Sequence, residues 1–206
     1  MDPSHEVKRL SYKTFVLTIL LFGGLVLLFT LVAVLISPAS AQVGITRPAD
    51  TIPGHLLELA GFGLLLGATL GIIYGREGLM LALLMPVLTV LLDLDHLPAY
   101  LGMAQPIRPA HSIVFVITVL AITAITIKRL EVDLVVLSAT LAHMGIDTGI
   151  FAPFSPINFG YYQLDPYRGL FFVGAAATIL VGGLVLRRRM FGTEPVRKEL
   201  TQNATS

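Results

Sequence analysis

His55 stands three residues before Glu58. His96 directly follows Asp95 and comes three residues after Asp93. His111 directly precedes Ser112, and His143 stands four residues before Asp147. Imidazole and carboxylate together make the ligand set of a transition-metal site, and they also make a proton-transfer pair. All four histidines lie at the ends of hydrophobic segments or inside them. Ionisable groups at membrane depth are costly and mark function by default. The chain has no cysteine. Any metal must therefore be held by His, Asp, Glu or backbone oxygen.

The spacings pair these groups. His143 and Asp147 are i,i+4 and share a helix face. His55 with Glu58, and Asp93 with His96, are i,i+3 and can do the same. Asp95 lies about 200° round a regular helix from Asp93. Both aspartates reach one site only if the helix unwinds there, as Pro98 would allow. His143 is expected about eight residues, or about 12 Å, below the end of its helix.

The positioning elements are hydrophobic helices. Of 206 residues, 55% are hydrophobic and 13% charged, and the mean hydropathy is +0.82. Soluble domains carry about 25% charged residues, so the composition is that of an integral membrane protein. A net charge of +1 gives no footing for nucleic acid. A membrane crossing needs about 20 apolar residues. Residues 14–36, 53–74, 78–97, 110–127, 132–151 and 169–186 meet or approach that length. The expected fold is all-α, a multi-pass transmembrane bundle of about six helices. The basic start and Ala39-Ser40-Ala41 of the first segment also fit a cleaved signal peptide, which would leave five. Its 23-residue apolar stretch favours retention. Residues 1–52 then form a tail, a first helix or signal anchor and an outer loop. Residues 53–186 form a five-helix domain holding the site, and residues 187–206 form a basic tail.

Orientation follows from Lys and Arg. With both termini in the cytoplasm, the inner segments hold Lys8, Arg9, Lys13, Arg76, Lys128, Arg129, Arg187, Arg188, Arg189, Arg197 and Lys198. The outer loops hold only Arg47, Arg108 and Arg168. This is a positive-inside bias at the cell membrane. It places every His/Asp pair at the extracytoplasmic ends of the helices. Pro98 is expected to end the third helix near Leu97, and the short 75–77 and 128–131 connections make antiparallel neighbours.

A central Asp costs about 2.5–3.5 kcal/mol on insertion scales. No Lys or Arg lies within these helices to offset it, and Arg108 is the only cation in the loop between the third and fourth. A divalent cation offsets the carboxylates and keeps the imidazoles neutral. Plainer readings exist for some of these groups. Asp95 and His96 can be interfacial polarity, His111 with Ser112 ordinary helix-start polarity, and His143 with Asp147 an interhelical hydrogen bond. Gly63, Gly67 and Gly71, and likewise Gly174, Thr178 and Gly182, form small-residue faces for helix packing, the second set against a membrane-protein partner. The Pro-rich aromatic stretch 152–168 reads as an interfacial belt.

Gly54-His55-Leu56-Leu57, Leu91-Leu92-Asp93-Leu94-Asp95-His96, His111-Ser112 and Leu141-Ala142-His143-Met144-Gly145-Ile146-Asp147 occur in this order. A Pro-containing aromatic loop follows. Together they resemble the YdjM-like family of inner-membrane metal-dependent hydrolases, over roughly half of the chain. Leu92 stands where that family usually has Pro. The family's further His and Thr ahead of the His-Ser pair are absent from Pro106-Ile107-Arg108-Pro109-Ala110, so any ligand that His supplies is missing. The resemblance implies a membrane-embedded hydrolase. His55, Asp93, Asp95, His111, His143 and Asp147 would hold Zn, Mn or Fe. Glu58 or His96 would carry protons, and the substrate would be a lipid or other amphiphilic ester or phosphoester. The alternatives are a non-enzymatic subunit tied by a structural metal and, more remotely, a cation transporter.

Overall fold

The computed structural model describes residues 10–36, 52–101, 109–147, 149–151, 161–163 and 168–186. Ala39-Ser40-Ala41, Arg47, Arg108, the aromatic stretch 152–160 and the tail 187–206 lie outside them, as does the side chain of Asp147.

The architecture is an all-α bundle. Helix α1 spans Tyr12–Ile36 and α2 spans Ile52–Tyr74. A 3-10 turn, Gly75–Gly78, leads into α3, Leu79–Leu91. A second 3-10 segment, Leu92–His96, continues into α4, Leu97–Tyr100. After the 3-10 turn Pro109–His111 come α5, Ile113–Thr126, and α6, Leu130–Asp147. Strands β1 (Gly149–Phe151) and β2 (Tyr161–Gln163) pair antiparallel, Gly149 opposite Gln163. Helix α7, Arg168–Ala177, runs through a π-helical stretch, Thr178–Gly182.

Four helices are long and apolar enough to cross a membrane: Tyr12–Leu35, Pro53–Tyr74, Leu79–His96 and Gly169–Leu186. The other two expected crossings do not meet that length and composition. Helix α5 has only 14 residues, about 21 Å, and α6 carries Glu131, Asp133 and Asp147. Leucine, isoleucine and valine cover the outward faces of α1, α2 and α7, including Leu20, Leu35, Leu57, Ile72, Val173 and Val181. Such faces suit hydrocarbon rather than water. The threonine hydroxyls agree with that environment. Thr18, Thr30, Thr89, Thr118 and Thr178 each donate to the carbonyl four residues earlier, so no hydroxyl needs water.

Gly75, at φ +61, ends α2 in the left-handed conformation that favours glycine. The chain then reverses, and α3 packs along α2. A Cβ on Gly63 would strike Pro86, and one on Gly67 would strike the carbonyl oxygen of Ala82. Pro86 has no N–H to give the carbonyl four residues earlier. That residue is Ala82, so the released oxygen is the one that faces Gly67. The expected small-residue face thus seats α2 on α3, although Gly71 meets nothing within 4 Å. On α7, Gly174 and Gly182 face Leu141 and Leu134 of α6. That glycine face is filled from within the chain.

Two expectations need correction. Pro98 does not end the third helix. It sits in the first turn of α4, where its missing N–H costs nothing. Helix α6 ends at Asp147 rather than at residue 151, because Gly149–Phe151 is extended. His143 is therefore four residues from the helix end, about 6 Å rather than 12 Å.

Candidate metal centre

Each site residue sits at one end of the bundle for a local reason. His55 is in the first turns of α2, and Asp93 to His96 follow the end of α3. Ser112 caps α5, its hydroxyl accepting from the Phe115 N–H, so His111 is held immediately before the helix. His143 lies in the last turns of α6. The short connections at Gly75–Gly78 and at residues 127–129 lie at the opposite end, with Arg76, Lys128 and Arg129.

The helix does not unwind at the two aspartates; it tightens. At 3.0 residues per 3-10 turn, neighbours are about 120° apart, so Asp93 and Asp95 differ by about 120° rather than the 160° of an α-helix. Asp93 and His96 become eclipsed, one above the other. Asp93, Asp95 and His96 are all buried as a result.

Six of the seven expected side chains with described positions behave as one cluster. His111, His143 and Asp95 are 0% exposed, His96 2%, Asp93 4% and His55 7%. Their contacts trace a ring. Asp93 Oδ1 lies 3.5 Å from His96 Nε2 and 3.6 Å from His143 Nε2. His96 Nε2 is 3.4 Å from Asp95 Oδ1, and Asp95 Oδ2 is 2.8 Å from His111 Nδ1. His111 Nε2 and His143 Nε2, 3.1 Å apart, close the ring. His55 joins it through Asp93 Oδ2, at 3.4 Å. The seventh, Glu58, is exposed on α2. The carboxylate beside His55 is Asp93 of the neighbouring helix, not the i,i+3 Glu58, because the glycine face brings α2 so close to α3.

The hydrogen bonds constrain the imidazole tautomers. His143 Nδ1 lies 2.7 Å from the Thr89 carbonyl oxygen. A carbonyl only accepts, so Nδ1 carries the proton and Nε2 presents a lone pair. Thr89 belongs to the last turn of α3, whose carbonyls lose their intrahelical partners. His111 Nδ1 lies 2.8 Å from Asp95 Oδ2 and its Nε2 lies 3.1 Å from His143 Nε2. With its proton on Nε2, His111 donates to the His143 lone pair; with its proton on Nδ1, it donates to Asp95 and the two Nε2 atoms can share a proton or a metal ion.

The Asp93 carboxylate bears on that choice. Neither oxygen of Asp93 makes a hydrogen bond. Its ion-pair neighbours are His55, His96 and His143, which offset a buried carboxylate only when protonated or when they share a cation with it. Among the described residues, no Lys or Arg forms an ion pair with the cluster. The histidine–carbonyl and histidine–carboxylate contacts are the kind that orient metal-bound imidazoles. Two donors with bonds of about 2.0–2.2 Å are about 3.3–3.6 Å apart at a tetrahedral angle and about 2.8–3.1 Å apart at a right angle. The ring's edges of 3.1 Å and 3.4–3.6 Å match those values. The match is one of donor chemistry and pairwise spacing only: among the described residues, no group of three ligand residues is placed to hold one metal ion.

Sequence reasoning missed two contributors. The Thr89 carbonyl is a backbone group and leaves no residue signature. The β1 strand packs beside the Pro109–His111 turn, and only the Thr148-Gly149 break after Asp147 could have announced it. Neither family models nor curated proteins nor solved structures match this chain.

Proposed function

We propose that this protein is a membrane-embedded, metal-dependent hydrolase related to the YdjM-like family, with its centre at the extracytoplasmic face of the cell membrane. The observation that carries the reading is the pair of buried imidazole nitrogens facing each other beside the buried Asp93 carboxylate, whose ion-pair partners among the described residues are all histidines. The ordered motifs of the sequence support the family. The basic turns at the opposite end of the bundle support the orientation, with both termini cytoplasmic.

His55, Asp93, Asp95, His111 and His143 would hold the ion, with Asp147 completing the set, and a His/carboxylate sphere suits Zn, Mn or Fe. Such an ion supplies Lewis acidity and activates water near neutral pH. The Thr89 carbonyl fixes the ring of His143, and Asp95 fixes that of His111. His96 touches both aspartates and can pass a proton between the centre and the bundle end. Glu58, exposed one helical turn from His55, would exchange protons at the mouth. A centre set among lipid-facing helices suits a membrane lipid or another amphiphilic ester or phosphoester.

Metal analysis of detergent-purified protein tests this reading. Wild type should hold stoichiometric transition metal and His143→Ala should lose it; metal-free wild type would sink the proposal. A second reading, a non-enzymatic subunit tied by a structural metal, draws support from the near-complete burial of the ring across four helical segments. A lone purified protein that turns over an ester or phosphoester decides for the enzyme; stoichiometric co-purifying membrane proteins without turnover decide for the subunit.

A further inference from the structure

At the end of the bundle away from the His/Asp cluster, the fold leaves a groove. Helices α5 and α7 each pack on α6, and the groove runs between them. Leu120 and Ala124 of α5, Leu134 and Leu137 of α6, and Val185 and Leu186 beyond the π-helical stretch form its walls. Its volume is about 400 Å³, within the range of about 300–1,000 Å³ of ligand sites. Asp133 is the one charged residue in the lining, and its Oδ1 accepts from the Thr123 hydroxyl at 2.8 Å.

The chain around the groove is basic. Leu130 belongs to the wall, and Lys128 and Arg129 directly precede it. Arg187, Arg188 and Arg189 directly follow the wall residue Leu186 in the sequence. The acidic residues nearby are already engaged, Glu131 by Arg129 at 3.3 Å and Asp133 by Thr123. Lys128 is exposed and, among the described residues, forms no ion pair. It also stands at φ +56, the one non-glycine residue with positive φ among those described. It follows α5 as Gly75 follows α2, in a conformation that favours glycine because a Cβ strains it. An exposed side chain does not hold a residue there by packing. Such an outlier points to a role for the group that it carries, here the ammonium.

We infer that the groove seats an acyl chain of an anionic phospholipid, whose phosphate meets Lys128 and Arg129. Aliphatic walls between membrane-suited helices match a hydrocarbon chain, and clustered Lys and Arg beside such helices attract anionic head groups. A partner helix fits less well, since 400 Å³ is only about one turn of a helix about 10 Å wide. The site lies apart from the metal centre and does not rest on it.

The test uses the full chain, delipidated in mild detergent and offered phosphatidylglycerol or phosphatidylcholine with identical acyl chains. Native mass spectrometry counts the bound lipid. One phosphatidylglycerol per chain is expected, held at least about tenfold more tightly than phosphatidylcholine, since several basic residues act together. Lys128→Gly should weaken phosphatidylglycerol about fivefold and yet raise the Tm by about 2–4 °C as the strain is released. Lys128→Arg should keep the lipid. Ala124→Phe fills the groove and should release both lipids. Equal affinity for the two lipids overturns the anionic head group, and unchanged binding in Lys128→Gly overturns the lysine contact. Lipid binding indifferent to Ala124→Phe overturns the groove as the seat. A second copy or another protein that occupies the groove, and that Ala124→Phe displaces, overturns the lipid itself. Should Ala124→Phe fail to fold, the two-lipid comparison and Lys128→Gly decide alone.

Discussion

Gly67→Ala should loosen the proposed metal centre although residue 67 lies far from it. The added methyl would fall on the Ala82 carbonyl oxygen, and C···O contacts need about 3.3 Å or more. Relief requires α2 and α3 to separate by about 1 Å, since the obstacle is backbone. Gly67 lies about 10.5 Å above the end of α2 at Tyr74, and His55 lies about 28.5 Å above it. Translation of α2 moves His55 by about 1 Å, and pivoting near Tyr74 moves it by about 2.7 Å. The His55–Asp93 separation of 3.4 Å would then reach about 4.4–6 Å. Two donors on one metal cannot exceed about 4.4 Å. Overpacking of this kind costs about 1–3 kcal/mol. Gly71→Ala is the matched control. It makes the same change in the same helix, but nothing lies within 4 Å of the new methyl. That substitution should gain about 0.5–1 kcal/mol from helix propensity alone. Thermal unfolding in detergent and metal retained against a weak chelator would be measured for both. The expected result is a lower Tm and faster metal loss for Gly67→Ala only. Equal behaviour of the two variants would refute the claim that this glycine contact sets the His55–Asp93 distance.

Asp95→Asn leaves the volume unchanged but weakens the group that holds His111 Nδ1. Losing the partner that orients a metal-binding His typically costs about 10–100-fold in metal affinity; because Asp95 is also a proposed ligand, a loss of at least that size is expected, to be read by competition with a chromophoric chelator. Ser112→Ala removes the cap of α5. It should cost about 1 kcal/mol, visible as a lower Tm, and should weaken metal binding because His111 precedes that cap. Chelation should lower the Tm of wild type, and Zn2+ or Mn2+ at about 100 times its Kd should restore about 2.7 kcal/mol. Metal affinity should also fall as the pH is lowered, because protons compete for the His and Asp donors; this is measurable by titration at two pH values.

The helices were legible because hydrophobic length is a one-dimensional property. The residues 14–36 and 53–74 expected from apolar runs differ by one or two positions from Tyr12–Ile36 and Ile52–Tyr74. The convergence of His55, Asp93, Asp95, His96, His111 and His143 was legible for a related reason. Short turns force antiparallel neighbours, so polar residues placed alternately at helix starts and ends must share one end of the bundle. Pairing was less legible, because sequence spacing offers only partners on the same helix. His55 turned to Asp93 across the α2–α3 contact rather than to Glu58. That contact depends on an oxygen released by Pro86, four residues away from the oxygen's own residue. The Asp93–Asp95 geometry depends on a 3-10 segment whose Leu-Asp-Leu-Asp-His sequence does not require it. The tautomer of His143 depends on the main chain of Thr89, where any side chain would present the same carbonyl. These three features share a cause. Each is a backbone group or a backbone geometry, one of them the residues' own 3-10 segment and the others carbonyls set at a helix–helix contact. Main-chain placement therefore decides which nitrogens and oxygens of the cluster face one another, and residue identity alone left that open.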